Sequence, residues 1–272
     1  MRNYLKLESP TDLKIEDFVE SKFPAKFFYK IISPVLTQVD FDQSHDEKYW
    51  IVGIDEAGRG PVAGPVTAGA CMLSSSVLGE PQFSLLNDSK KLNEKRREEL
   101  YPLVKNSALA WGTATCSPQE IDEHNILGAT FIAMKRALKV CLDSMLAQAN
   151  VQSNNCEAQI KPVLLLVDGN QFIRGLETEF NEIYPTLKIY QCPVIQGDGH
   201  FALISAASIL AKVERDHDMY ALAKQYPEYD LEANKGYPSP KHIEAIKAHG
   251  RSSIHRKTFH MKALDEPDLF NG

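Results

Sequence analysis

Tyr49-Trp50-Ile51-Val52-Gly53-Ile54-Asp55-Glu56 stays apolar for six residues and then ends on two acids. A short run of this kind, with β-branched and aromatic residues, favours a strand. A carboxylate at the end of such a strand stands at a sheet edge, where α/β proteins build their sites. The residues that follow, Gly58-Arg59-Gly60-Pro61 and Gly64-Pro65, are turn chemistry, and Val66 to Leu73 makes a second strand. The same grammar recurs twice. Val163 to Val167 is a continuous apolar run, as a strand covered on both faces requires, and Asp168-Gly169 follows it. Leu187 to Ile195 predicts the last strand, and Asp198 sits between Gly197 and Gly199 just beyond it.

Between these strands the chain predicts a third strand over Leu109 to Thr115 and two long helices. Ser117-Pro118-Gln119-Glu120 is a helix start, with a Ser cap, Pro at the first helical position and Glu three residues after the cap. That helix is expected to reach about Ala147, with Ile126, Thr130, Ala133, Ala137, Val140 and Cys141 along its buried stripe. A second helix, Phe201 to about His217, is rich in Ala and Ser where it approaches the sheet. The order of elements gives an α/β fold with a mixed β-sheet flanked by helices and a small helical C-terminal region. Three segments result: an N-terminal extension over 1–47 with some helix around Lys14 to Tyr29, a catalytic domain over 48–224, and a C-terminal region over 225–272.

Composition narrows the function. The chain has 272 residues, 43% hydrophobic, enough for one sizeable core. No apolar run approaches the ~20 residues of a membrane helix, so no membrane partner is expected. The first residues carry no signal-type apolar segment, and residues 1–47 hold nine Asp/Glu against six Lys/Arg, unlike a transit peptide. The expectation is a cytoplasmic monomer. Cys71, Cys116, Cys141, Cys156 and Cys192 lie far apart, mostly in apolar segments, and read as reduced, buried thiols. His249, His255 and His260 stand among Arg251, Arg256 and Lys257, which reads as a solvated basic face rather than a zinc site. The net charge of −6 conceals two basic regions, Lys90 to Arg97 and residues 235–262, the latter with seven Lys/Arg against Glu244 alone. Screening confines such charge to about 10 Å, so separate basic patches and a carboxylate cluster can coexist on one surface.

Asp55, Glu56, Asp168 and Asp198 therefore form the candidate site. Clustered carboxylates repel unless a cation neutralises them, and all-oxygen ligands select hard ions such as Mg²⁺ or Mn²⁺. Two such ions about 3.5–4 Å apart can activate water and stabilise the leaving oxygen of a phosphodiester. The glycine segment is neither a dinucleotide fingerprint nor a P-loop, and no Gly-x-Ser-x-Gly or His-Glu-x-x-His occurs. Its glycines let main-chain groups approach a ligand closely, close enough to read a 2′-hydroxyl.

Gly53-Ile54-Asp55-Glu56-Ala57-Gly58-Arg59-Gly60-Pro61 resembles the signature of the type II ribonuclease H family, ribonuclease HII. Asn87-Asp88-Ser89-Lys90-Lys91-Leu92, Asp168-Gly169-Asn170, Gly197-Asp198, the stretch Ile204 to Val213 and Lys235-Gly236-Tyr237-Pro238 match as well, in the family's order from residue 50 to about 260. The resemblance implies a ribonuclease-H-like fold, cleavage of RNA hybridised to DNA, and incision 5′ to ribonucleotides embedded in duplex DNA. It also implies that Asp55, Glu56, Asp168 and Asp198 are the metal-binding and catalytic acids. Asp55, on the first and most interior strand, is expected to be the central, metal-bridging ligand. Gly58, Arg59 and Gly60 match the segment that senses the 2′-hydroxyl, and Tyr237 matches the tyrosine packed on the nucleotide at the RNA–DNA junction. Lys90, Lys91, Ser208 and Lys212 fit phosphate contacts; Ser208 and Lys212, four apart, share a helix face. Gln196 departs from the family, which often has a lysine there. Integrases and junction resolvases share the carboxylate-on-sheet plan, and a silent hybrid-binding module is the non-enzymatic rival.

Overall fold

A computed structural model describes residues 49–78, 83, 86, 92–152, 161–199, 201–261 and 264. The expected helix at Lys14 to Tyr29, together with Lys90 and Lys91, lies outside the described residues. The described elements in chain order are β1 (Trp50–Ala57), β2 (Val66–Met72), the single turn α1 (Ser75–Leu78), α2 (Glu94–Ser107), β3 (Ala110–Cys116), α3 (Pro118–Gln152) and β4 (Val163–Asp168). There follow α4 (Leu176–Ile183), β5 (Ile189–Val194), α5 (Ala202–Gln225), α6 (Leu231–Asn234) and α7 (Pro240–His249).

The strands form one mixed sheet in the order β3-β2-β1-β4-β5. β1 pairs antiparallel with β2 and parallel with β4, so it is the central strand. Its alternation divides the core. Val52 and Ile54 pack with Ala133 and Leu138 of α3 on one face, and Ile51 packs with Ile204 and Leu210 of α5 on the other. The small residues of α5 have the role their composition suggests: Ser205, Ala206, Ala207, Ser208 and Ala211 are buried. They let the helix backbone come so near that a Cβ built on Gly69 would lie 2.3 Å from the Ala207 carbonyl oxygen.

Several boundaries differ from the sequence expectation, each for a local reason. The Ser117 cap forms as read: its hydroxyl accepts from Glu120 N at 3.2 Å, and the Glu120 carboxylate accepts from Ser117 N at 2.8 Å. The helix then breaks at Asn125 (φ 56, ψ 167) and restarts, because the Asn125 carboxamide accepts from Leu127 N and Gly128 N and so caps a second start. Val140 is 48% exposed and does not belong to the buried stripe. α5 continues eight residues beyond His217 to Gln225, since Met219 and Leu222 enter a third apolar cluster. That cluster joins Val62 and Ala63, after β1, to Tyr229, Leu231, Ile246 and Ile254 of the C-terminal stretch. Cys71, Cys116, Cys141 and Cys192 are free and buried, as expected for reduced thiols.

Candidate active site

The register of the sheet brings the acids together. Ile54 lies opposite Val167 in the parallel β1–β4 pair, so the next position sets Asp55 alongside Asp168. Asp168 lies opposite Val194 of β5, and the 3-10 turn Gly197–Gly199 then carries Asp198 back toward it. The Asp198 amide donates to Asp168 Oδ1 at 3.3 Å. Asp55 is only 4% exposed, and one of its oxygens accepts from the Glu56 amide at 2.7 Å.

The electrostatics follow from that proximity. Burial pushes the Asp55 carboxyl well above the usual carboxylate range, and the charges of Asp168 and Glu56 push it further. The Ser208 hydroxyl and the Lys212 ammonium act in the opposite direction on the same group, so both α5 side chains lie within its electrostatic reach. Glu56 is also raised, by burial first, with Asp168 adding and Arg59 opposing. Arg59 Nη1 bonds Glu56 Oε1 at 3.0 Å from an exposed position. Among the described residues no three His, Cys, Asp or Glu side chains close into a preformed metal cage. The donor set nevertheless suits a hard cation: mutually repelling carboxylates, covered from water, become less costly beside one.

The glycine segment and Tyr237 form the neighbouring wall. A Cβ built on Gly60 would lie 3.4 Å from Tyr237 Cε1, so the ring, 52% exposed, stands beside the Gly58-Arg59-Gly60 backbone. The Gly236 carbonyl accepts from Val62 N at 2.9 Å and Ala63 N at 3.2 Å, fixing that juxtaposition. Arg215 of α5 donates Nε to Pro65 O at 3.1 Å and Nη2 to Lys235 O at 2.9 Å, tying both segments to the helix. Of the residues read as phosphate contacts, Ser208 and Lys212 face Asp55, and Ser208 is fully buried.

The solvated basic face expected around His255 and Arg256 is not what forms. His255 is 1% exposed and Arg256 is 0% exposed. His255 Nε2 lies 3.2 Å from His242 Nε2, and its Nδ1 accepts from Ser252 N at 3.0 Å. Arg256 is buried because its guanidinium donates to carbonyls of the 58–65 loop. Sequence reading missed both Arg256 and Arg215. One cue existed: a loop of three glycines and two prolines has little internal pairing, so its buried carbonyls need an outside donor.

Comparison with known proteins agrees with this geometry. The family model for ribonuclease HII matches residues 52–262. A ribonuclease HII of Chlorobium chlorochromatii is 42% identical over 228 residues, covering 82% of this chain and 97% of that protein. One from Vibrio parahaemolyticus is 43% identical over 209 residues, covering 77% and 83%. The crystal structure of ribonuclease H2 from Pyrococcus horikoshii matches with a TM-score of 0.55 at 27% identity, covering 77% of this chain and 93% of that one. A carboxylate-edged mixed sheet matched to this family over its full core leads to one assignment: the chain belongs to the ribonuclease HII family, endoribonucleases that cleave the RNA of RNA–DNA hybrids.

Proposed function

We propose that the chain also incises duplex DNA 5′ to a single embedded ribonucleotide, using Asp55, Glu56, Asp168 and Asp198 as metal-binding and catalytic acids and leaving 5′-phosphate and 3′-hydroxyl ends. The observation that carries this reading is the β1–β4 register, which sets Asp55 beside Asp168 with Glu56 and Asp198 adjoining. Mg²⁺ or Mn²⁺, two ions with substrate bound, would be held by these four acids and would activate water and stabilise the leaving oxygen.

The chain's own groups do the rest. Ser208 and Lys212 oppose, from the α5 side, the burial and like charge that disfavour an ionised Asp55. Arg59 holds Glu56 in place until substrate arrives. The main-chain groups of Gly58, Arg59 and Gly60 read the ribose 2′-hydroxyl, the one group that marks a ribonucleotide within DNA. The Tyr237 ring offers an apolar face to the nucleotide at the junction. Lys90 and Lys91 contact backbone phosphates.

One duplex bearing a lone ribonucleotide tests the reading. The expected result is a nick 5′ to that ribonucleotide in Mg²⁺ or Mn²⁺, and no cutting in chelator or of the all-DNA duplex. Equal cutting of the all-DNA duplex would place the chain with resolvase-type nucleases instead.

A further inference from the structure

We infer that Arg256, a residue that never reaches the substrate, positions the Arg59 and Gly60 N–H groups toward the substrate nucleotide and thereby sets the turnover rate at a ribonucleotide. The inference rests on the proposed role of the Gly58-Arg59-Gly60 backbone and names the device that holds it.

An arginine has five N–H donors in a fixed fork, and Arg256 places all five on the carbonyls of a single loop. Nε donates to Gly64 O at 3.0 Å. Nη1 donates to Arg59 O at 3.0 Å and Pro61 O at 2.6 Å. Nη2 donates to Gly58 O at 2.6 Å and Pro65 O at 3.1 Å. The loop is thus wrapped around a buried cation, with the Phe259 ring 5.0 Å from the guanidinium carbon. The peptide bonds are trans, so each N–H points opposite to the carbonyl before it. With the Gly58 and Arg59 carbonyls turned in to Arg256, the N–H groups of Arg59 and Gly60 turn out. Both residues are exposed, and neither N–H donates to another group among the described residues. Tyr237, against Gly60, marks the side on which a nucleotide would meet them.

The cation also polarises the peptides it holds, concentrating positive potential at their outer N–H ends, as in backbone anion nests. The seat of Arg256 is itself pinned. Its amide donates to Val62 O at 2.9 Å, and the Asp122 carboxylate accepts from Lys257 N, Thr258 N and the Thr258 hydroxyl at 3.0, 2.9 and 2.8 Å.

The test compares Arg256→Lys, which keeps the charge but has three donors for five acceptors, with Asp122→Ala, which leaves the guanidinium intact and loosens its seat. kcat and KM are measured on the lone-ribonucleotide duplex, at a temperature where circular dichroism shows each variant folded. Displacing aligned donors should lower kcat roughly 30- to 100-fold for Arg256→Lys with KM changed less than about threefold. Asp122→Ala should lower kcat by about fivefold in the same sense. A residue that merely stabilises the fold would lower the melting temperature and leave kcat of the folded protein intact. Both variants keeping kcat within about twofold of wild type, or losing rate only through KM, would overturn the inference while leaving the proposed function standing. If Arg256→Lys does not fold, Asp122→Ala decides by the same criterion. A wild-type protein unable to cut this duplex would remove the function reading and this inference with it.

Discussion

Asp55 and Tyr237 show how one position can combine opposed demands. Asp55 sits within the central strand near its Ala57 end, nearly out of contact with water, where its charge is disfavoured by burial and by Asp168 and Glu56. Such a carboxylate is costly for folding, and a cation beside it would lower that cost. Tyr237 presents the opposite case, a large aromatic ring left half exposed beside a backbone that can carry hydrogen bonds. Its removal should spare the acids and cost stacking. Tyr237→Ala is expected to lower kcat/KM on the lone-ribonucleotide duplex by roughly 5- to 150-fold, since stacking on one base contributes roughly 1–3 kcal/mol. The Mn²⁺ affinity of the acid cluster, measured by calorimetry, should stay within about twofold of wild type. An unchanged kcat/KM would remove the ring from substrate recognition.

At the scale of the element, the site depends on how closely α5 lies on the sheet. Gly69 of β2 faces the Ala207 carbonyl, and Gly53 of β1 faces Leu203, each with room for hydrogen alone. That contact seats Ser208 and Lys212 at Asp55. Gly69→Ala must push the helix off or distort the strand, and overpacking of this kind costs about 1–3 kcal/mol. The melting temperature should fall by roughly 2–12 °C on the scale of a domain this size, and kcat should fall with it as α5 moves from Asp55. A variant with wild-type melting temperature would contradict the close approach. These elements differed in how far they could be read from the residues. The start of α3 was legible, because a Ser cap and a reciprocal Glu are purely local chemistry. The break at Asn125 was not: an asparagine within a helical pattern becomes a second cap only when its carboxamide turns onto Leu127 and Gly128. The overrun of α5 to Gln225 escaped for the same reason, since Met219 is buried by a C-terminal stretch distant in sequence.

For the whole molecule, the acids that follow apolar runs were legible from local pattern, whereas the C-terminal support for the site was not. Arg256 and His255 look like members of an exposed basic run until the fold wraps the 58–65 loop around one and packs Tyr229, edge-on, and His242 against the other. That burial has a consequence for stability. Burial, then the neighbouring His242, lowers His255 from 6.5 to about 4. Between those values the unfolded chain binds a proton that the folded one refuses, so His255 contributes its full stability above pH 6.5 and loses it as pH falls toward about 4. Asp55 and Glu56, raised in the fold, act in the opposite direction, so the comparison must be differential. In urea unfolding, wild type should lose about 2 kcal/mol more than His255→Gln between pH 7 and pH 5. Equal losses would show that His255 takes up its proton in the folded state.

The central claim, that acids far apart in the chain meet to hold a hard cation, is tested most directly at Asp55. The measurement is the single-turnover rate of Asp55→Asn, which keeps shape and removes charge, on the lone-ribonucleotide duplex in saturating Mg²⁺. The predicted result is a loss of about a thousandfold or more with the fold intact by circular dichroism. A rate within about tenfold of wild type would contradict the account.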